Sequence, residues 1–363
     1  MLYLGLVNGL FLLRYALRGA LGQRRMVYGL VLLALFLFSG FRWAVGCDWS
    51  GYWHQFWVAG GMEEVSIFET VDGLWWWILI RLNDWGFAYP WTNVVSSAVF
   101  FAGVHVLARR QADPLAFLVL LFPVLIINMP MSGIRQGAAI GVMCVAYVAF
   151  IDRRPLRFAA FTFLASLFHS SALVFLLLVP LAQGRYTKKR LGLAALLAVP
   201  GMVVLMGSES ATLATSRYLN TGIDAFGGMF RAALLGLSGA YFLYFLRRGW
   251  QSTFPRDYAL AHIGALMMLA MPAVVLVSSV IGDRLGYYLI PIQALIFARL
   301  PWLPLRSRRL HVVMPYVGLI LFFGVWALLS RHFQHCYLPY DSWITGMPPE
   351  AYLSPVEALL GRF

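Results

Sequence analysis

Two stretches decide the fold: MVYGLVLLALFLFSGF at 26–41 and VVMPYVGLILFFGVWALLS at 312–330. Neither carries a charged side chain, and each approaches the roughly 20 apolar residues that a helix needs to cross a bilayer. In hydrocarbon every backbone N–H and C=O must find its partner inside its own segment, so helices are the economical solution. A transmembrane barrel would show short alternating segments instead. The rest of the chain reads the same way. Of its 363 residues, 61% are apolar and 12% charged, about half the charged share of a soluble domain. The expected fold is an all-α, polytopic integral membrane bundle, a single transmembrane domain over 1–363. Its spans lie near 2–17, 26–41, 91–108, 114–128, 133–151, 156–168, 171–183, 191–207, 228–246, 258–280, 285–299 and 311–330. Residues 2–17 lack the charged start and small-residue cleavage site of a signal peptide and count as a span.

The net charge of +13 would suit a nucleic-acid partner, but the placement of the charges argues against one. Alternate connections carry the basic clusters: Arg18, Arg24 and Arg25; Arg109 and Arg110; Arg153, Arg154 and Arg157; then clusters at 185–190, 247–256 and 299–309. These hold 19 of the 28 basic residues and only three acids, Asp113, Asp152 and Asp257. By the positive-inside rule that side is cytoplasmic, so both termini lie outside. The outer side then contains a loop over 42–90 and a tail over 331–363. The alternation closes only if 156–183 crosses twice as two short helices meeting near His169. It also requires 71–83 to stay on the outer side as a re-entrant or interfacial helix.

Ionisable residues at membrane depth are functional candidates by default, and here they gather on the outer side. FRWAVGCDWSGYWHQFW at 41–57 supplies Arg42, Asp48 and Tyr52, which also fit a snorkelling arginine among interfacial aromatics. In NMPMSGIRQGAAIG at 128–141, Pro130 and Gly133 break a helix and Arg135 with Gln136 opens the next. An arginine beside free N–H groups makes an anion site. FHSSAL at 168–173 places His169 with two serines at a turn, as a proton acceptor or simply a cap. SSVIGDRLGYYLIP at 278–291 sets Arg284 and Tyr288 four apart on one face. Arg217 and Arg231 add positive charge with less weight. Several outward guanidinium groups suit a diphosphate, which they bind bidentately. Most of the tryptophans and tyrosines between 49 and 91 read as an interface belt, though they could stack on sugars. Cys47, Cys144 and Cys336 form no CxxC pair and no zinc spacing, though Cys47 and Cys336 fall on the same outer face, which leaves a pairing between them open. Walker A, Rossmann, HExxH, GxSxG and DxD motifs are absent, so no cofactor and no metal is expected.

Taken in order, Arg42-xxx-Gly46-x-Asp48-xxx-Tyr52, Glu69 before a glycine-bearing apolar stretch, SGIRQGAA, FHSSAL, DRLGYY at 283–288 and CYLPYDS at 336–342 resemble the EpsG/Wzy family of bacterial polysaccharide (O-antigen and exopolysaccharide) polymerases. The resemblance covers nearly the whole chain. It implies an enzyme of the bacterial inner membrane that works on the periplasmic face. Such an enzyme transfers a growing glycan from undecaprenyl diphosphate to the non-reducing end of the next lipid-linked repeat unit. It also implies membrane lipid and a chain-length regulator as partners. The positions carried over are Arg42, Asp48, Tyr52, Arg135, His169, Arg284, Tyr288 and Tyr340. Cys47, where a small hydroxyl residue is expected, and the bulky Trp75–Trp77 depart from the pattern, which leaves the glycan unidentified.

The expected chemistry is metal-independent glycosyl transfer. His169 serves as base, with Asp48 second or orienting it, and Arg135 and Arg284, supported by Arg42, bind the diphosphate. Tyr52, Tyr288, Tyr340 and Gln136 are the candidate glycan contacts. The competing readings are a lipid-linked oligosaccharide flippase or transporter, an O-antigen ligase and a membrane acyltransferase. A transporter would want a cavity reachable from both sides and internal repeats, and the sequence has no such repeat.

Overall fold

The computed structural model describes residues 1–17, 19–183, 187–207, 224–355 and 357. The chain begins with α1 (Leu2–Ala16) and α2 (Leu21–Gly40), followed by two short helices, α3 (Trp49–Ala59) and α4 (Gly73–Asp84). Next come α5 (Pro90–Ala108), α6 (Pro114–Leu121, prolonged by a π turn at Phe122–Ile126) and α7 (Ile134–Ile151). α8 (Pro155–Ser166) and a 3-10 helix (Ser170–Leu181) meet at His169. The rest is α9 (Lys188–Gly207), α10 (Asp224–Tyr241), α11 (Arg247–Thr253), α12 (Tyr258–Val277), α13 (Ser279–Ala298), α14 (Arg308–Leu329) and α15 (Arg331–Tyr337). Among the described residues six helices are long and apolar enough to cross a membrane: Pro90–Ala108, Ile134–Ile151, Gly227–Thr253, Tyr258–Val277, Ser279–Trp302 and Arg308–Leu329. Leu2–Ala16, Pro114–Ile126 and Ser170–Leu181 are apolar but shorter.

Local sequence explains the boundaries. Proline opens α5, α6 and α8 at the position where a helix has no use for an N–H. The Asp113 side chain caps α6 by accepting from Ala116 N at 3.0 Å. Pro123 falls inside the π turn, where its missing N–H and ring disturb regular α bonding. α5 and α7 cross at Gly103 and Gly141. A Cβ on Gly103 would stand 1.8 Å from Gly141 O, so only hydrogen fits there.

The two sets of charges separated by the sequence are also separated in space. At the basic end, each of the three acids holds an arginine from another helix or loop. Asp113 takes Arg24 at 2.5 Å and Arg14 at 3.5 Å. Asp152 takes Arg110 at 3.0 Å and Arg256 at 2.6 Å. Asp257 pairs with Arg299, whose Nε donates to Gln111 Oε1 at 2.9 Å. At the opposite, acid-rich end, α3 and α4 form a small hydrophobic cluster of their own around Trp49, Tyr52, Phe56, Trp75 and Leu79, which rests on Tyr89 and Ile134. The loop expected over 42–90 therefore contains two helices, not one.

The C-terminal tail closes this end. Asp341–Ser342 pairs antiparallel with Arg42–Trp43, and Gly46 N donates to Cys336 O at 2.7 Å. Cys47 and Cys336 are joined by a disulfide, the pairing that their shared face leaves open and their spacing does not favour. They stand 289 residues apart, and only the folding of the tail onto the end of α2 brings them together.

Arg299 and Asp257 are both largely buried. Asp257→Ala leaves that guanidinium without its charge partner, and loss of one partner of a buried pair costs about 3–5 kcal/mol. The expected outcome is a lower unfolding temperature and a lower monodisperse yield in detergent, with Asp341→Ala, an exposed control, unchanged.

Candidate active site

The site begins at the end of α2, where Arg42 folds back on its own chain. Its Nη1 donates to Ser39 O (2.6 Å), its Nε to Val45 O (2.9 Å) and its Nη2 to Asn93 Oδ1 (2.7 Å). These bonds hold a sharp turn in which Ala44 and Gly46 both have positive φ, at 51° and 109°. A Cβ on Gly46 would lie 1.9 Å from Met131 O, so glycine lets the turn lie flat on the 131–132 loop. Asp48, just beyond, then accepts a hydrogen bond from Ser132 Oγ at 3.3 Å.

A second carboxylate, Asp72, sits in the left-handed conformation (φ 57°) at the N-terminus of α4. Its Oδ1 accepts from Ser170 N at 2.7 Å, and its Oδ2 pairs with Arg135 Nη1 at 3.0 Å. Leu74 N and Trp75 N both donate to Leu167 O, so α4 docks end-on against the turn between α8 and the 3-10 helix. That turn is recessed, because the 12 residues of α8 reach only about 18 Å. The Arg135 guanidinium lies over the Tyr52 ring, 5.8 Å from its centroid, and its Nε is buried without a partner.

The third wall is α13. Gln136 Nε2 donates to Arg284 O at 2.6 Å and Tyr147 OH to Tyr288 O at 2.8 Å, locking α7 to α13. Tyr288 OH meets Ser171 Oγ at 3.1 Å, which in turn meets His169 Nδ1 at 2.6 Å. The half-buried Arg284 has no ion-pair or side-chain hydrogen-bond partner among the described residues. Its charge is nonetheless felt by Asp48, Asp72 and His169.

Electrostatics sorts these groups. Asp48 is open to solvent yet ringed by protein; desolvation pushes its carboxyl above the ordinary aspartate range, against the pull of Ser132 and Arg135. Asp72 moves up for the same first reason, opposed by Arg135 and Ser170. His169 moves well down, because burial comes first and Arg135 and Arg284 add to it, so its ring stays neutral at ordinary pH. Its Nδ1 faces both Ser171 N and Ser171 Oγ. When Nδ1 accepts both bonds the ring proton is on Nε2, and His169 then offers the site a donor.

The structure therefore brings Asp48, Arg135, His169, Arg284, Tyr52, Tyr288 and Gln136 into one recess and adds Asp72, which the sequence reading passed over. An acid opening an otherwise apolar non-crossing helix was the available signal. Arg42 lies behind the recess, 1% exposed and fully engaged with the chain. Tyr340 holds the tail: its hydroxyl donates to Phe38 O at 2.8 Å and its ring stacks on Phe38. Tyr52, Tyr288 and Gln136 are buried and act as supports. Arg231 is on the far face of α13, paired with Asp283 at 2.7 Å, and Arg217 lies outside the described residues. Among the described residues one group of metal-ligand type side chains gathers, Cys47, His332 and Cys336, and the disulfide uses both of its sulfurs.

An apolar helical bundle that gathers arginines, carboxylates and a histidine at one end defines a multi-pass membrane protein. Residues 25–342 match the model of the EpsG family, and the chain belongs to that family, one of polysaccharide polymerases. No curated protein and no solved structure matches it.

The thiol pattern gives a direct check. With three cysteines, one of them the free and buried Cys144, denatured unreduced protein should take up a single maleimide-polyethylene glycol. Reduction should expose the other two. Full labelling before reduction would contradict the pairing.

Proposed function

We propose that the protein is an O-antigen or exopolysaccharide polymerase of the bacterial inner membrane, with about twelve membrane crossings and its recess on the periplasmic face. Two observations support this orientation. The basic clusters gather at the other end, and the Cys47–Cys336 disulfide suits an oxidising compartment. The donor is a glycan on undecaprenyl diphosphate, and the acceptor is the non-reducing end of a lipid-linked repeat unit. The observation that carries the reading is the pairing of an Arg135 Nε–H and an Arg284 guanidinium, both without a hydrogen-bond partner among the described residues, beside two carboxylates.

In this reading the diphosphate lies between Arg135 and Arg284. The acceptor hydroxyl attacks the anomeric carbon; a new C–O bond forms as the bond from that carbon to the phosphate oxygen breaks. The electron pair leaves on the polyprenyl diphosphate, where the guanidinium groups stabilise it. Asp48 takes the hydroxyl proton: desolvation raises its carboxyl and so strengthens it as a base, whereas burial and the two arginines weaken His169 as one. His169, kept neutral, hydrogen-bonds the reacting sugar through Nε2. Asp72 holds Arg135 in place without touching substrate. Beneath the recess, Tyr147, Phe175 and Tyr288 are fully buried, which argues against a transporter path through the bundle.

In proteoliposomes containing a lipid-diphosphate repeat unit, the purified protein should give a ladder of products without a second protein. Arg135→Ala and Arg284→Ala should each lower the rate about 10²–10³-fold while leaving membrane insertion intact. Wild-type chain lengths in both would sink the assignment. The pH profile follows from Asp48. The base works as the carboxylate, so activity falls as pH drops through a raised carboxyl ionisation and shows no histidine-like step. Asp48→Asn should remove that acid limb along with most of the rate, about 10²–10⁴-fold.

A further inference from the structure

α13 has two working faces, of which the chemistry above uses one. Tyr288 and Arg284 serve the recess. Gly282, Asp283, Gly286, Tyr287, Ile290 and Gln293 line a narrow crevice on the other side. Its remaining walls come from α10 (Gly228, Arg231, Leu235), the π turn (Val124) and α14 (Leu319). Glycine at 286 lets Leu235 pack close to α13, and a larger side chain there would crowd the crevice. A Cβ on Gly286 would already come within 3.1 Å of Leu235 Cδ1.

The two ends of the crevice differ. At the acid-rich end stand Arg231 and Asp283, one residue from Arg284. At the other, Gln293 Nε2 donates to Ser238 Oγ at 2.7 Å and makes a polar floor. Between them the walls contributed by Val124, Leu235, Ile290 and Leu319 are hydrocarbon. From Gly282 to Gln293 the crevice follows α13 for about 16 Å. α14, its outermost wall, is packed lightly, with 17% of its apolar window buried, so a chain can enter sideways from the bilayer.

We propose that this crevice binds the isoprenoid chain of a polyprenyl diphosphate, its first units lying along α13 while the headgroup turns over the N-terminal end of α13 onto Arg284 and Arg135. The inference rests on the polymerase reading for its donor. The occupant follows from charge complementarity. The apolar trough carries charge at one end only: Arg231 and Asp283 neutralise each other there, and the adjacent Arg284, on the recess side, leaves that end net positive. That matches one hydrocarbon chain carrying one anionic head. Bilayer phospholipid is the rival occupant.

The test is photo-crosslinking in phosphatidylethanolamine and phosphatidylglycerol vesicles with sugar-free undecaprenyl diphosphate as probe. The crosslinker is p-benzoylphenylalanine at Leu319 or, as a control, at lipid-exposed Leu321. At Leu319, capture of the probe should be displaced by unlabelled probe and resist an equal excess of phosphatidylglycerol; at Leu321 both should displace it equally. Absence of capture at Leu319, or equal displacement there by phospholipid, overturns the proposal. A filling variant, Leu319→Trp, should raise KM for a long-chain donor relative to a short-chain one by at least about tenfold, and an unchanged ratio also overturns it. The two readings fail separately. Capture without any polymer would sink the polymerase and spare the crevice, whereas polymer without capture would do the reverse.

Discussion

The acid-rich end is organised around one carboxylate. An arginine at membrane depth is costly without compensation, and Arg135 lies at the first turn of α7 beside a broken helix. Asp72 reaches it from another element and, with its second oxygen, accepts the N–H that opens the 3-10 helix. Two helix starts and the His169 turn thus share a single anion. Because Asp72 comes from the left-handed residue before α4, the outer helices are tied to the recess and cannot float on the surface as an independent cap.

The consequence is an uneven distribution of charge. Arg135 is already half satisfied, whereas Arg284, fixed through its backbone by Gln136, has no side-chain partner among the described residues. In the proposed reading, an incoming diphosphate would complete both without displacing the Asp72 contact that orients Arg135. On the opposite end, by contrast, every acid among the described residues is spent on fastening loops together. The same ion-pair chemistry therefore fastens loops at one end, while at the other it leaves Arg284 without an ion-pair partner among the described residues.

Much of this was legible in the sequence, for physical reasons. Long uncharged runs such as 26–41 leave helices as the solution in lipid, and the alternation of basic loops sorted the connections into two ends that the ion pairs reproduce. Arg135, His169 and Arg284 stood out because charge at membrane depth is rare. What escaped depended on distance in the chain. Cys47 and Cys336 meet only through the folded tail. Asp72, in the helix expected over 71–83, drew no notice until the start of α4 was seen to dock on Leu167. The aromatic run after Asp48 read as an interface belt and proved to be a helix, α3, whose Tyr52 and Trp49 pack inward on α4 and Tyr89. Side-chain roles were harder still. Arg42, Tyr52 and Tyr340 lie at the acid-rich end, yet they hold the walls of the recess, a distinction that periodicity cannot express.

The most direct test of the central claim is a structure of the protein in nanodiscs with a non-hydrolysable polyprenyl diphosphate glycan. The account predicts diphosphate density bridging Arg135 and Arg284, the sugar directed toward Asp48 and His169, and Asp72 still bonded to Arg135. Diphosphate density seated among the basic clusters of the opposite end, with the recess empty, would contradict it.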